Sequence, residues 1–214
     1  MDIGALTDYV GTATYIALGV IALWGAFCVI MVWMRVAKKR FRNEEQQQDF
    51  LDQLGEPLTA GNFDEAGMLC EGDQRAVPQL AMLAIANRDI GFNKVRQLVM
   101  DRFQRDIMAD IEHRLSWVNT VIKSAPMVGL FGTVIGMMGA FNKLASQANV
   151  KPDQLAENIS VALITTASGL AIAIPLVISM ASINIRIKKM EDLAISGMTR
   201  VMESFRAGLQ RGSR

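Results

Sequence analysis

Thr165, Thr166 and Ser168 lie in residues 158–185, a stretch without Asp, Glu, Lys or Arg, and Pro175 follows them. Proline has no N–H, so in a helix the Ala171 carbonyl loses its partner, which favours a kink. A freed carbonyl beside hydroxyls can hold water and line a path for an ion. The same side chains can instead bond their own backbone and only pack. The residue types leave packing and a wet path both open.

Other chemistry finds little support. His113 is the sole histidine and has no second ligand in sequence reach, so it reads as an ordinary solvated residue. The chain has no CxxC, no HExxH and no glycine-rich phosphate loop ending in Lys-Ser/Thr. Cys28 and Cys70 lie in different segments and read as small apolar residues rather than a disulfide. A net charge of +1 gives no reason to expect nucleic acid. The expectation is a protein that is not an enzyme, with no catalytic residue, no metal and no bound cofactor.

The hydroxyls must be held by membrane helices. Charged residues are missing between Asp8 and Arg35, between Lys123 and Lys143, and between Glu157 and Arg186. A helix crosses ~30 Å of hydrocarbon with ~20 residues. The chain is therefore read as an all-α membrane protein with spans at 9–34, 124–142 and 158–185. The first span starts after acidic rather than basic residues, so it is expected to be a retained anchor rather than a signal peptide. Arg35, Lys38, Lys39, Arg40 and Arg42 follow the first span, and Arg186, Lys188 and Lys189 follow the third. By the positive-inside rule, residues 1–8 lie outside, 35–123 form an inner helical domain, 143–157 is an outer loop and 186–214 an inner helical tail. In a bacterium, outside is the periplasm.

The middle span reads "APMVGLFGTVIGMMGAF" over 125–141, with Gly129, Gly132, Gly136 and Gly139 at spacings of three, four and three. Those spacings share one helix face. Helices in lipid gain nothing from the hydrophobic effect, and small residues let two backbones meet closely. The four glycines therefore clear a track for another helix. Ala162, Thr166, Gly169 and Ala173 repeat that pattern in the third span.

In the inner domain, 44–54 is expected as a polar helix ending at Gly55 and Pro57. Asn62 is expected to cap the next, and "VPQLAMLAIANRD" to form another with Pro78 in its first turn. Val95, Val99, Phe103, Ile107, Ile111 and Leu115 recur every four residues. That stripe predicts an amphipathic helix running into the second span, so long helices join membrane and inner domain.

None of the three spans holds a carboxylate, lysine, arginine or histidine, so an ion-carrying acid would have to come from another polypeptide. Here the residues resemble a known family. "APMVGLFGTVIGMMGAF" followed by "LAENISVALITTASGLAIAIPL" is similar to the second and third spans of the ExbB/TolQ proton-channel family, relatives of MotA. The likeness is close over about 124–188, and one of layout before that. It implies a homopentameric ring around two copies of an ExbD/TolR-like single-span partner whose aspartate binds and releases protons. It implies work on a TonB-like or TolA-like effector at the inner membrane, with protons as coupling ion and sodium the alternative. Thr133 and Thr166 match the family threonines that face the partner's aspartate; Thr165 and Ser168 join them as adjacent polar positions. Gly129, Gly132, Gly136, Gly139, Gly169 and Pro175 are helix-packing positions. Val161 stands where several relatives carry glutamate. A passive scaffold that assembles helices without conducting ions is the alternative.

Overall fold

The structure, a computed structural model, describes residues 3–146 and 152–212. Met1, Asp2, residues 147–151 of the expected outer loop (Lys151 among them) and 213–214 of the tail lie outside the described residues. The elements, all helical among the described residues, are α1 (Ile3–Lys39), α2 (Glu44–Ala60), α3 (Phe63–Cys70), α4 (Ala76–Ala86), α5 (Phe92–Arg102), α6 (Ala109–Ser146) and α7 (Pro152–Gly212). Three stretches contain enough apolar length to cross a membrane: Tyr9–Lys39, Phe92–Asn142 and Ile159–Arg211. The chain divides into two compact units, one of 1–31 and 114–182, the other of 32–113 and 183–214.

The first unit contains parts of α1, α6 and α7. Its outer faces carry Leu23, Phe27, Met127, Leu130, Ile164, Ile174 and Ile178, all exposed. Water would not tolerate so much contiguous apolar surface, whereas lipid or a neighbouring helix does. Inside, Val118, Val121, Ala125, Ala162, Ala173 and Leu176 are buried.

The second unit is a helical domain. Along α7, Ile183, Ile187, Met190, Ala194, Met198, Val201 and Phe205 are buried at steps of three and four, one apolar face of a helix. That face runs beside α2: a Cβ on Gly208 would lie 2.0 Å from the Leu58 carbonyl oxygen. The buried Gln47 amide donates to the Leu193 carbonyl at 2.6 Å. Phe205 meets Phe63 edge-on, and Arg75 lies 4.0 Å over the Phe41 ring while pairing with Asp73. Burial, reinforced by Asp73, pushes the Cys70 thiol up to about 11. Burial alone would raise the Asp73 carboxyl, but bonds from the Arg75 side chain and backbone hold it below its usual value.

Three local expectations need correction. The helix from Glu44 does not stop at Gly55 or Pro57; it runs to Ala60 with Pro57 inside. An interior proline costs ~3 kcal/mol, but Leu54 and Leu58 on either side are fully buried. Burying two leucines offsets that, at ~1.5–3 kcal/mol each. The stop comes at Gly61, where φ is 83° and the N–H returns to the Leu58 carbonyl. Asn62 occupies the cap position of α3 but makes no cap bond; its amide donates to Glu65 Oε2 at 2.6 Å.

The four-residue stripe also differs. Each step of four overshoots an α-helical turn by ~40°, so the stripe would spiral off its face. A π-helical turn, Phe103–Met108, lies between α5 and α6 and absorbs the drift. Val95, Val99, Phe103, Ile107 and Ile111 stay buried, whereas Leu115 is half-buried and Val118 takes over.

Candidate functional site

Within the first unit, α6 and α7 touch backbone to backbone. A Cβ on Gly129 would meet the Thr165 carbonyl oxygen at 2.7 Å, and one on Gly169 would meet the Ala125 carbonyl oxygen at 2.6 Å. A Cβ on Gly136 would lie 2.7 Å from that of Ala162. Gly132 faces two helices at once, with Thr14 of α1 and Thr165 of α7 each 2.8 Å from its missing Cβ. Gly139 is buried. Only glycine permits such spacing without shifting main chain.

Three hydroxyls are concentrated in this seam. The Gly129 carbonyl accepts from Thr133 at 3.2 Å, Thr165 at 3.0 Å and Thr166 at 3.1 Å. The Ala162 carbonyl accepts from Thr165 at 2.7 Å and Thr133 at 3.2 Å. Thr133 and Thr166 also share a hydroxyl–hydroxyl bond. Each hydroxyl has one proton and more than one acceptor, so the set can reorder by rotating O–H bonds. Thr165 is 3% exposed, while Thr133 and Thr166 are half-buried and keep an edge open.

The hydroxyls do not gather on the Ala171 carbonyl freed by Pro175. Helical side chains lean toward the N-terminus, so Thr165 and Thr166 reach the level of Ala162 and not that of Ala171. Pro175 is exposed within the continuous α7, and Ser179 donates to its carbonyl at 2.8 Å. Ser168 is half-buried and does not join the cluster. His113 is exposed. The Val161 side chain is half exposed, and its carbonyl accepts from Tyr15 at 3.1 Å.

Sequence reasoning missed Thr14, which is buried, donates to the Val10 carbonyl at 2.8 Å and closes the third side of the seam at Gly132. It missed Gly25 too, whose missing Cβ would lie 2.8 Å from both Val121 and Leu176. A glycine and a threonine inside the charge-free first span were the available signals. Among the described residues no group of three or more His, Cys, Asp or Glu could hold a metal.

The glycine seam and its hydroxyls sit inside the part of the chain shared with known proteins. Residues 80–194, more than half the chain, match the MotA/TolQ/ExbB proton channel family. The chain belongs to that family. It is 38% identical over 82 residues to the Tol-Pal system protein TolQ of Haemophilus influenzae, covering 38% of this chain and 36% of that protein. It is 48% identical over 67 residues to a putative biopolymer transport protein ExbB homolog of Methanothermobacter thermautotrophicus, covering 31% of this chain and 23% of that one. Against the biopolymer transport protein ExbB of Helicobacter pylori, identity is 32% over 104 residues, 49% of this chain and 71% of that one. The chain thus spans less than two thirds of the length of the first two relatives. Family membership and three apolar helices make this a membrane protein of the MotA/TolQ/ExbB family.

Proposed function

We propose that this chain is the ring-forming subunit of an inner-membrane motor driven by proton flow. Copies of the chain, five by family likeness, surround a single-span partner of the ExbD/TolR kind, whose carboxyl group carries the proton. The ring passes the motion to a TonB-like or TolA-like effector. The N-terminus faces the periplasm and the C-terminal tail the cytoplasm, in keeping with the basic residues after the first and third spans.

One observation carries this reading: Thr133, Thr165 and Thr166 converge on the Gly129 carbonyl in a seam whose spans contribute no acid. An ionised carboxylate is costly in an apolar setting unless hydrogen bonds replace its water. Rotatable hydroxyls on the half-open edge, Thr133 and Thr166, can donate to such a group when it is charged and return to main-chain acceptors when it is protonated. A hydrogen bond to a charged group contributes ~1.5–3 kcal/mol. Removing one donor should therefore slow a step through the ionised state about ten- to a hundredfold.

The test is Thr133→Val and Thr166→Val in the chain co-assembled with its native partner, measuring subunit count and coupled proton flow. The expected result is an unchanged ring with flow down at least tenfold. The scaffold reading draws on the same network, since every one of the three hydroxyls already has a partner inside the seam. If both valine variants keep full coupled flow and only Gly132→Leu disturbs assembly, the motor reading fails and the scaffold stands.

A further inference from the structure

The charge-free run of α6 begins just after Lys123, which makes this lysine look like an ordinary span boundary. The helix register contradicts that. Gly132 meets Thr14 and Thr165 at one level, and Gly25 meets Val121 and Leu176 at another. Eleven residues separate these levels on each of the three helices, so the register is constant between them. Lys123, two residues from Val121, therefore lies level with Leu23 of α1 and Ile174 of α7.

From that level, α1 continues to Met31 and α7 to Ser182, eight residues or ~12 Å along the axis. Neither stretch holds a charged residue. Both show apolar side chains outward: Phe27 and Ile30 on α1, Val177 and Ile178 on α7, each about half exposed or more. An outstretched lysine covers roughly half of that distance, so snorkelling does not bring the ammonium to the basic end of the spans. Lys123 is exposed, and among the described residues it forms no ion pair. It continues a stripe of exposed polar residues, Ser116 and Thr120, which turns apolar at Met127 and Leu130.

A charged group at membrane depth faces a water-filled space or an opposite charge rather than lipid. We propose that Lys123 lines a hydrated mouth of the ion path at the end of the spans followed by Arg35 and Arg186. One ammonium from each copy makes this mouth electropositive and raises the barrier to hydrated metal cations, which must pass it as whole ions, whereas a proton can be relayed along its water. The proposal rests on the reading of this chain as the wall of an ion path.

The experiment uses the complex with its native partner in proteoliposomes, in a Cys28→Ala, Cys70→Ala background. A charged, membrane-impermeant thiol reagent is added from the basic side to Lys123→Cys, Leu23→Cys and Ile174→Cys, three positions at one depth. Lys123→Cys should react at least tenfold faster than the other two. Equal, slow rates would place Lys123 against lipid or protein and overturn the proposal. In parallel, Lys123→Gln and Lys123→Glu should raise potassium leak several-fold, with Lys123→Arg restoring the low leak. An unchanged leak in the glutamate variant overturns the selectivity. Should wild type pass no ions at all, the ion-path reading falls, while the labelling rates still tell whether Lys123 meets water.

Discussion

Replacing Gly169 by alanine tests the seam where it is tightest. The added Cβ would lie 2.6 Å from the Ala125 carbonyl oxygen and 3.3 Å from the Gly129 Cα. Both are main-chain atoms and cannot rotate away. Ordinary contact needs ~0.8 Å more, and a gap of that size forfeits up to half of the dispersion well for the atoms it separates. Overpacking of this kind costs ~1–3 kcal/mol. The same shift would lengthen the Thr166 bond to the Gly129 carbonyl, now 3.1 Å, past useful geometry. Alanine also favours helix over glycine by ~1 kcal/mol, which must be cancelled out. Gly19→Ala supplies the control, because a Cβ there has nothing within 4 Å. The assay is unfolding of both variants by detergent titration in bicelles. Gly169→Ala should be less stable than Gly19→Ala by ~1–3 kcal/mol, about five- to 150-fold in the unfolding constant. Equal stability would refute the claim that backbone contact holds α6 to α7.

Gln47→Leu removes the buried amide bond to the Leu193 carbonyl, and should cost ~1 kcal/mol, a drop of ~2–4 °C in thermal midpoint followed by circular dichroism. The Cys70 thiol, held at about 11 in the folded chain, ionises nearer the ordinary thiol value of 9.0 once unfolded. Its contribution is full below pH 9 and falls as pH rises through 9 to 11, by about 2 kcal/mol. Denaturant midpoints across that range should show the fall in wild type and lose most of it in Cys70→Ala. At pH 8 the Cys70 thiol should react with thiol reagents only on unfolding, in contrast to an exposed cysteine.

The three apolar helices were legible because the signal is local. Long runs free of charge, bounded by Arg and Lys, need no tertiary information to read. The short helices of the second unit were legible in outline, and the failures there have local causes. Pro57 and Gly55 are strong stop signals taken alone, yet Leu54 and Leu58 had to be buried together. The strict four-residue stripe carried the mark of the π-helical turn, since no α-helix keeps that period on one face. Taken by itself the stripe still reads as an α-helix, because helical faces usually tolerate the drift.

The glycine spacing determined that close helix contact was possible, and the composition of the spans determined that they bring no carboxylate of their own. Neither fixed which helix would meet which, or at what register. Thr133 is 32 and 33 residues from Thr165 and Thr166, and only folding brings their hydroxyls onto one carbonyl. The sequence also placed Lys123 at a boundary that the neighbouring helices extend past. Composition along one chain reports whether each segment can enter a membrane. Depth and hydrogen-bond partners depend on how far each helix slides against the others, and that is set by backbone contacts between segments far apart in sequence.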